Sequence, residues 1–156
     1  CGVPKSQIHA FEGDKFRTYV LNDNCSEDAI INNTLVGRGN GNNTSLDEYS
    51  GKNTPPDVIK IDVEGQEYEV LKGAEKILQK HHPSLIIEVH PFAEYKGSDI
   101  IEYLHSIGYS VGTVYHQMLR TETRRDINWL SDENNGPILE EANSDEDPYL
   151  LVATIK

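Results

Sequence analysis

The stretch DVIKIDVEGQEYEVLKGAEKILQKHHPSLIIEVHP, Asp57 to Pro91, decides the fold. Val58-Ile59-Lys60-Ile61 is a compact β-branched run that ends at Asp62, the composition of a buried strand. From Glu67 to Lys80 the apolar residues Val70, Leu71, Ala74, Ile77 and Leu78 recur at i, i+1, i+4, i+7 and i+8, which predicts one face of a single continuous helix. Lys72, Lys76 and Lys80 fall on its other sides, and Pro83 stops it. Ser84-Leu85-Ile86-Ile87 is the next strand and runs into Glu88-Val89-His90-Pro91. Strand, helix and strand in so few residues predict two adjacent parallel strands joined by a right-handed crossover.

Downstream, Asp99 and Glu102 have the spacing of a capping box, with Asp in place of Ser or Thr. Ile100, Ile101, Leu104 and Ile107 line the buried face of the helix they open, and Gly108 suits the position just past its end. Tyr109 to Tyr115 reads as a strand, residues 120–148 as a long polar and acidic loop, and Tyr149 to Ile155 as a strongly apolar last strand. Upstream, Gln7 to Phe11 is a short strand closed by Glu12-Gly13. Residues 14–24 carry Phe16, Tyr19, Val20 and Leu21 at helical spacing, and 29–36 read as one strand. Gly37 to Ser45 is a loop by composition, Thr44 to Tyr49 one helical turn, and Thr54-Pro55-Pro56 a break. Such alternation predicts an α/β fold with a mainly parallel sheet.

The chain has 156 residues and a formal charge of −12, from 26 acidic and 14 basic side chains. The length suits one domain. The charge argues against a nucleic-acid partner, which needs clustered Lys and Arg, and against docking on anionic lipid. No stretch approaches the length and apolarity of a membrane span. The first residues lack a basic start followed by an apolar run, so the N-x-S/T triplets at Asn24, Asn32, Asn42 and Asn43 read as chance matches and a cytoplasmic location is expected. Cys1 and Cys25 form no C-x-x-C pattern and read as two free thiols.

In an open α/β sheet, ligands bind outside the carboxyl ends of the strands. The polar residues at those ends are Glu12, Asp62 with Glu64, and Glu88 with His90. Each acid has an ordinary reading as a cap or dipole partner for the following helix; acids at three strand ends together point to a site. Glu12 has a specific use, since a carboxylate at a strand end of a nucleotide-binding unit can accept two hydrogen bonds from a ribose diol. His90, whose unperturbed pKa lies near neutrality, is the first candidate for a general base, and Asp62 the second. His81 and His82 close an exposed helix and suit its dipole. Asp62, Glu64, Glu88 and His90 are also compatible with Mg²⁺ or Mn²⁺, but the spacing of the acids does not make a metal site, and none is assigned.

The segment Asp57 to Pro91 closely resembles the FkbM family of S-adenosylmethionine-dependent methyltransferases. The likeness lies in the K-I-D-V-E-G core, the E-x-x-V-L-x-G-A helix and the P-x-x-x-x-E-x-H strand end. His9-Ala10-Phe11-Glu12 resembles the family's A-F-E element, and Thr44 to Tyr49 its S-L-D segment. The resemblance implies a Rossmann-like class I methyltransferase fold whose seven-stranded sheet ends in an antiparallel strand, here Tyr149–Ile155. It implies S-adenosylmethionine as cofactor, with Glu12 on the ribose and Asp62 and Glu64 at the cofactor. It also implies that Asp62, Glu64 and His90 lie where the cofactor meets a small hydroxyl acceptor, a sugar or other metabolite; Glu88 with His90 is the candidate pair for binding that acceptor, and self-association as a homo-oligomer is left open.

One departure from the family is large. Its first strand ends in an acidic residue and a Gly-rich turn, D-x-G-x-x-x-G, and only Cys1-Gly2-Val3-Pro4-Lys5 stands ahead of Ser6. Gly37-Arg38-Gly39-Asn40-Gly41 follows a strand but no acid precedes it and no helical pattern opens after it, so it reads as ordinary loop. The expectation is a single domain over residues 1–156, N-terminally incomplete, with the strand between those ending at Glu12 and Asp62 missing. A methyltransferase-like scaffold without catalysis is the alternative. An acceptor pocket would draw on residues 91–98 and 115–148, where Tyr95, Tyr115, His116 and Trp129 could stack on a sugar or simply pack.

Overall fold

A computed structural model describes residues 3–25, 27–39, 41, 43–90, 93–115 and 149–155. The strands Val58–Ile61 (β5 in chain order) and Ser84–Val89 (β6) pair in parallel, from Val58 opposite Ser84 to Ile61 opposite Ile87. Tyr109–Tyr115 (β7) and Tyr149–Ile155 (β8) complete a four-stranded sheet of order β5-β6-β8-β7, with β8 antiparallel to both neighbours. The last strand thus has the expected direction. Period-two alternation does the sorting: β6 buries Leu85, Ile87 and Val89, and β8 buries Tyr149, Leu151 and Ala153.

These side chains meet Val70, Leu71, Ala74, Leu78, Ile100, Ile101 and Leu104 from the helices in one core. Leu71, Leu78, Leu85, Ile87, Ile100, Leu104 and Leu151 are less than 2% exposed, and full burial of each contributes about 1.5–3 kcal/mol. Burial pushes the phenols of Tyr103 and Tyr109 up to about 12. Tyr109 donates its hydroxyl to the Pro83 carbonyl at 2.9 Å.

The helix read as continuous from Glu67 to Lys80 is two segments, α3 (Glu67–Lys72) and α4 (Glu75–His81). The cause is tertiary. The Gly73 carbonyl accepts from the Asp47 N–H at 3.0 Å. The Asp47 carboxylate in turn takes the N–H groups of Lys76 and Ile77, each at 3.0 Å. Asp47 therefore caps α4 from a distant element. A Cβ on Gly73 would overlap the Gly37 carbonyl oxygen, so glycine here permits a backbone crossing. The apolar stripe survives because both segments keep its phase. Ser45 caps its own helix, α2 (Leu46–Ser50), by accepting from the Glu48 N–H, while the Glu48 carboxylate accepts from the Ser45 N–H. The S-L-D segment thus has a structural part to play in both helices.

Two other expectations are corrected. Residues 29–36 form not one strand but two. Ile30–Asn32 (β2) pairs in parallel with His9–Phe11 (β1), and Leu35–Val36 (β3) with Asn43–Thr44 (β4). At the end of β2 the Asn32 and Asn33 side chains donate to the Ala10 and Glu12 carbonyls at 3.1 and 3.0 Å, tertiary bonds to the β1 segment at the point where the strand stops. The helix expected to be capped by Asp99 begins at Gly97 (α5, Gly97–Ser106), and Asp99 reaches back to accept from the Lys96 N–H at 2.8 Å. Among the described residues the strands form three sheets of two, two and four strands. The strands β1 and β5 share no ladder, and the helix Lys15–Cys25 (α1) lies against β2. Gly108, at φ +94°, occupies the left-handed position expected of it. Cys25 is a free thiol; Cys1 lies outside the described residues.

Candidate active site

The strand β5 ends at Ile61, so Asp62 leaves the sheet at its carboxyl edge. Two residues on, Glu64 and Gly65 take left-handed backbone at φ 53° and 93°. For Glu64 this costs roughly 1–2 kcal/mol, and it turns the chain sharply into α3. On β6 the alternation that buries Ile87 and Val89 leaves Glu88 half-buried on the other face, and His90, just past the strand, is 8% exposed.

The parallel pairing of β5 with β6 brings these residues together. Asp62, Glu88 and His90 present ligand atoms within 4.8 Å of one another. Glu64 stands at the same place, its Oε2 3.7 Å from His90 Nε2. On the other side of the ring, His90 Nδ1 lies 2.7 Å from Oε1 of Glu67, a carboxylate 1% exposed. The same oxygen accepts from the Gly65 N–H at 2.9 Å. Lys60 is ion-paired to Asp62 at 2.6 Å. Two carboxylates and an imidazole are a donor set for a hard divalent cation, but here Lys60 already gives Asp62 a cation from the chain itself.

Glu12 stands apart. It follows β1, on the two-stranded sheet, and its Oε1 accepts from the Asp14 N–H at 2.8 Å. Asp14 in turn accepts from the Arg17 N–H at 2.8 Å and caps α1. Of the acceptor-side candidates, Tyr95 stacks on Tyr68, with centroids 4.2 Å apart and planes 22° from parallel. His116 and Trp129 lie outside the described residues, as does the side chain of Tyr115.

Glu67 is not among the candidates that the sequence offers at the strand ends, although its position is telling. Residues 67, 70, 71, 74 and 78 share one helical stripe. A glutamate in line with four core residues must be buried, and a buried carboxylate requires partners.

An open groove of about 600 Å³ lies elsewhere, lined by Ser6, His9, Ile30, Lys52, Asn53 and Pro55 among others. His9 and Ile30 begin β1 and β2, so this groove is at the amino ends of parallel strands, opposite the rim where α/β ligands bind.

Comparison with known proteins supplies the family. The Methyltransferase FkbM domain matches residues 9–111. No curated protein matches the chain significantly. Among solved structures, the crystal structure of Methyltransferase FkbM from Methylobacillus flagellatus KT at 2.20 Å resolution is similar, with a TM-score of 0.56 and 18% identity. The alignment covers 94% of this chain and 36% of that one, so the chain spans little more than a third of that protein. At this identity the likeness speaks to fold, and the fold is shared. The family match takes in β1, β5, β6 and the whole strand-end cluster, well over half of the sequence, and on that ground the chain belongs to the FkbM methyltransferase domain family.

Proposed function

We propose that the chain carries the acid–base half of an S-adenosylmethionine-dependent O-methyltransferase acting on a hydroxyl of a sugar or other small metabolite. The observation that supports this most is His90, buried at the carboxyl edge between two parallel strands with Asp62 and Glu88 beside it. Within the family established above, a base at this edge has a use.

The donor set suits the cofactor. The Asp62 and Glu64 carboxylates would favour a positive sulfonium, to a modest degree, since Asp62 is shared with Lys60 and the two side chains are 41% and 65% exposed. Glu12 uses Oε1 for the Asp14 N–H, and a carboxylate has acceptor sites beyond one hydrogen bond, enough for a ribose diol. When bound, S-adenosylmethionine supplies an electrophilic methyl group on sulfur. The remaining work belongs to the chain. A neutral alcohol is a poor nucleophile, so His90 takes the hydroxyl proton as the new carbon–oxygen bond forms, a contribution of about 10²–10⁴-fold. Asp62 is the second candidate for that proton, and Glu88 with His90 orients the acceptor. A cytoplasmic location and a small-molecule acceptor, glycans included, belong to the same proposal. Among the described residues no helix is long and apolar enough to cross a membrane.

A second reading, a methyltransferase-like scaffold that binds no cofactor, draws on one specific observation. The strands β1 and β5 are not paired with each other, and Val58, Phe16 and Tyr19 are 60%, 75% and 70% exposed. Calorimetric titration of S-adenosylhomocysteine into the longest available form of the protein separates the two. The enzyme reading expects saturable binding, weakened at least tenfold in Glu12→Gln and in Asp62→Asn. An absence of heat with the unsubstituted protein removes it in favour of the scaffold.

A further inference from the structure

We infer that Glu67 is a positioning residue: it holds His90 as the tautomer protonated on Nδ1 and so leaves Nε2, the nitrogen facing Glu64, as the basic one. As a statement about catalysis this rests on the methyl-transfer reading; as a statement about the ring it does not.

The geometry is specific. Oε1 of Glu67 receives the Gly65 N–H at 2.9 Å and lies 2.7 Å from His90 Nδ1. An ionised carboxylate only accepts hydrogen bonds, so the proton between Glu67 and His90 sits on Nδ1. Two donors converging on one oxygen are what a buried anion requires, and the short ring contact has the length of a charge-assisted bond. Both side chains are fixed by their elements. Glu67 opens α3 on its buried stripe, and His90 follows a strand paired on both sides. With Nδ1 occupied by its proton, Nε2 carries the lone pair. Nε2 is also the atom directed to the rim, 3.7 Å from Glu64 Oε2.

The chemical consequence follows. As a hydroxyl oxygen bonds to the methyl carbon, the sulfur–methyl bond breaks and its electron pair returns to sulfur. The hydroxyl proton passes to Nε2, and the imidazolium so formed is balanced by Glu67 until the proton leaves to water. A carboxylate behind an imidazole serves orientation, tautomer choice and charge at once.

The test is nitrogen NMR on the full chain with ¹⁵N-labelled histidine, His90 being assigned by the signal lost in His90→Gln. Above neutral pH the unsubstituted protein is expected to show His90 protonated on Nδ1 and bare on Nε2. Glu67→Met, which removes the acceptor at similar size, is expected to shift His90 toward the Nε2–H tautomer. Glu67→Gln, whose amide oxygen is claimed by the Gly65 N–H, is expected to retain Nδ1–H. An Nε2–H signal in the unsubstituted protein overturns the inference without any variant. So does an unchanged Nδ1–H pattern in a folded Glu67→Met. The Nδ1–H tautomer in a protein that binds no S-adenosylhomocysteine upholds the pair and removes only the methyl-transfer reading.

Discussion

Residues 3–44 and residues 45–155 are held together by different forces. In the first region Ala29 is the one buried apolar residue among those described, and α1 buries nothing. Its own bonds are mostly polar: Asn33 donates to the Glu12 carbonyl and the Thr18 hydroxyl, and Asn32 to the Ala10 carbonyl, while Phe11 and His9 meet Tyr49 and Val36 meets the core of the second region. Two-stranded sheets are marginal on their own. The second region has a continuous core running from Ile61 to Ala153. The two parts of the proposed site fall on opposite sides of this divide. The His90–Glu67 pair is mounted on the core, where packing fixes a side chain; Glu12, the proposed ribose ligand, sits on the thin layer. On that proposal the proton chemistry would stand on the packed core, whereas the cofactor's ribose would meet a region with almost no core of its own.

The largest expected effect breaks this contrast if it fails. Leu78→Ala removes a fully buried side chain and is expected to cost about 2–5 kcal/mol in urea unfolding. Phe16→Ala, at a position 75% exposed, is expected to stay within about 0.5 kcal/mol. Comparable costs at both positions would mean that the first region is packed as well as the second.

A substitution at the seam between the regions is expected to come next. Gly73→Ala sets a methyl group against the Gly37 carbonyl, and overpacking of this kind costs about 1–3 kcal/mol. The damage should be directional. Amide exchange should accelerate around residues 35–48, which lean on Gly73, more than in β6 or β8. Uniform acceleration would show instead that the two regions unfold as one unit.

The sequence made the second region legible because its signals are redundant. Ile61, Val70, Leu71 and Leu85 each agree with period, propensity and punctuation, so strand, helix and strand follow from any of the three. It misled where tertiary bonds overrule local pattern. Nothing between Glu67 and Lys80 announces that Asp47 will take the N–H groups of Lys76 and Ile77, and the break at Gly73 follows from that. The 29–36 run is β-branched enough to be one strand, yet Asn32 and Asn33 divert it. At the site, the carboxyl-edge rule put Glu12, Asp62, Glu64, Glu88 and His90 on one rim; the last four are close together, while Glu12 follows a strand of another sheet. Glu67 escaped because a glutamate at a helix start has an ordinary use as a dipole partner, and the stripe that betrays its burial was read for its apolar members only.

The smallest expected effect concerns the ion pair that crosses the seam. Arg38 donates to Glu69 through Nε at 2.5 Å and through Nη2 at 2.9 Å. This hydrogen-bonded guanidinium holds the Glu69 carboxyl below its usual range. A lowered carboxylate pKa stabilises the fold above the unfolded value, near 4.3 for glutamate, and the contribution is lost as pH falls through the lower folded value. The side chains are 42% and 29% exposed, so solvent screens the pair and its worth is held to about 1 kcal/mol or less. Arg38→Met should therefore lower stability by no more than that at pH 7 and low salt. The deficit should shrink in molar salt, and again as acid protonates Glu69. A deficit that survives both conditions would assign the loss to the Arg38 stem packing at the seam rather than to its charge. The seam would then be held at Arg38 by apolar contact, as it is where Phe11 meets Tyr49 and Val36 meets the core.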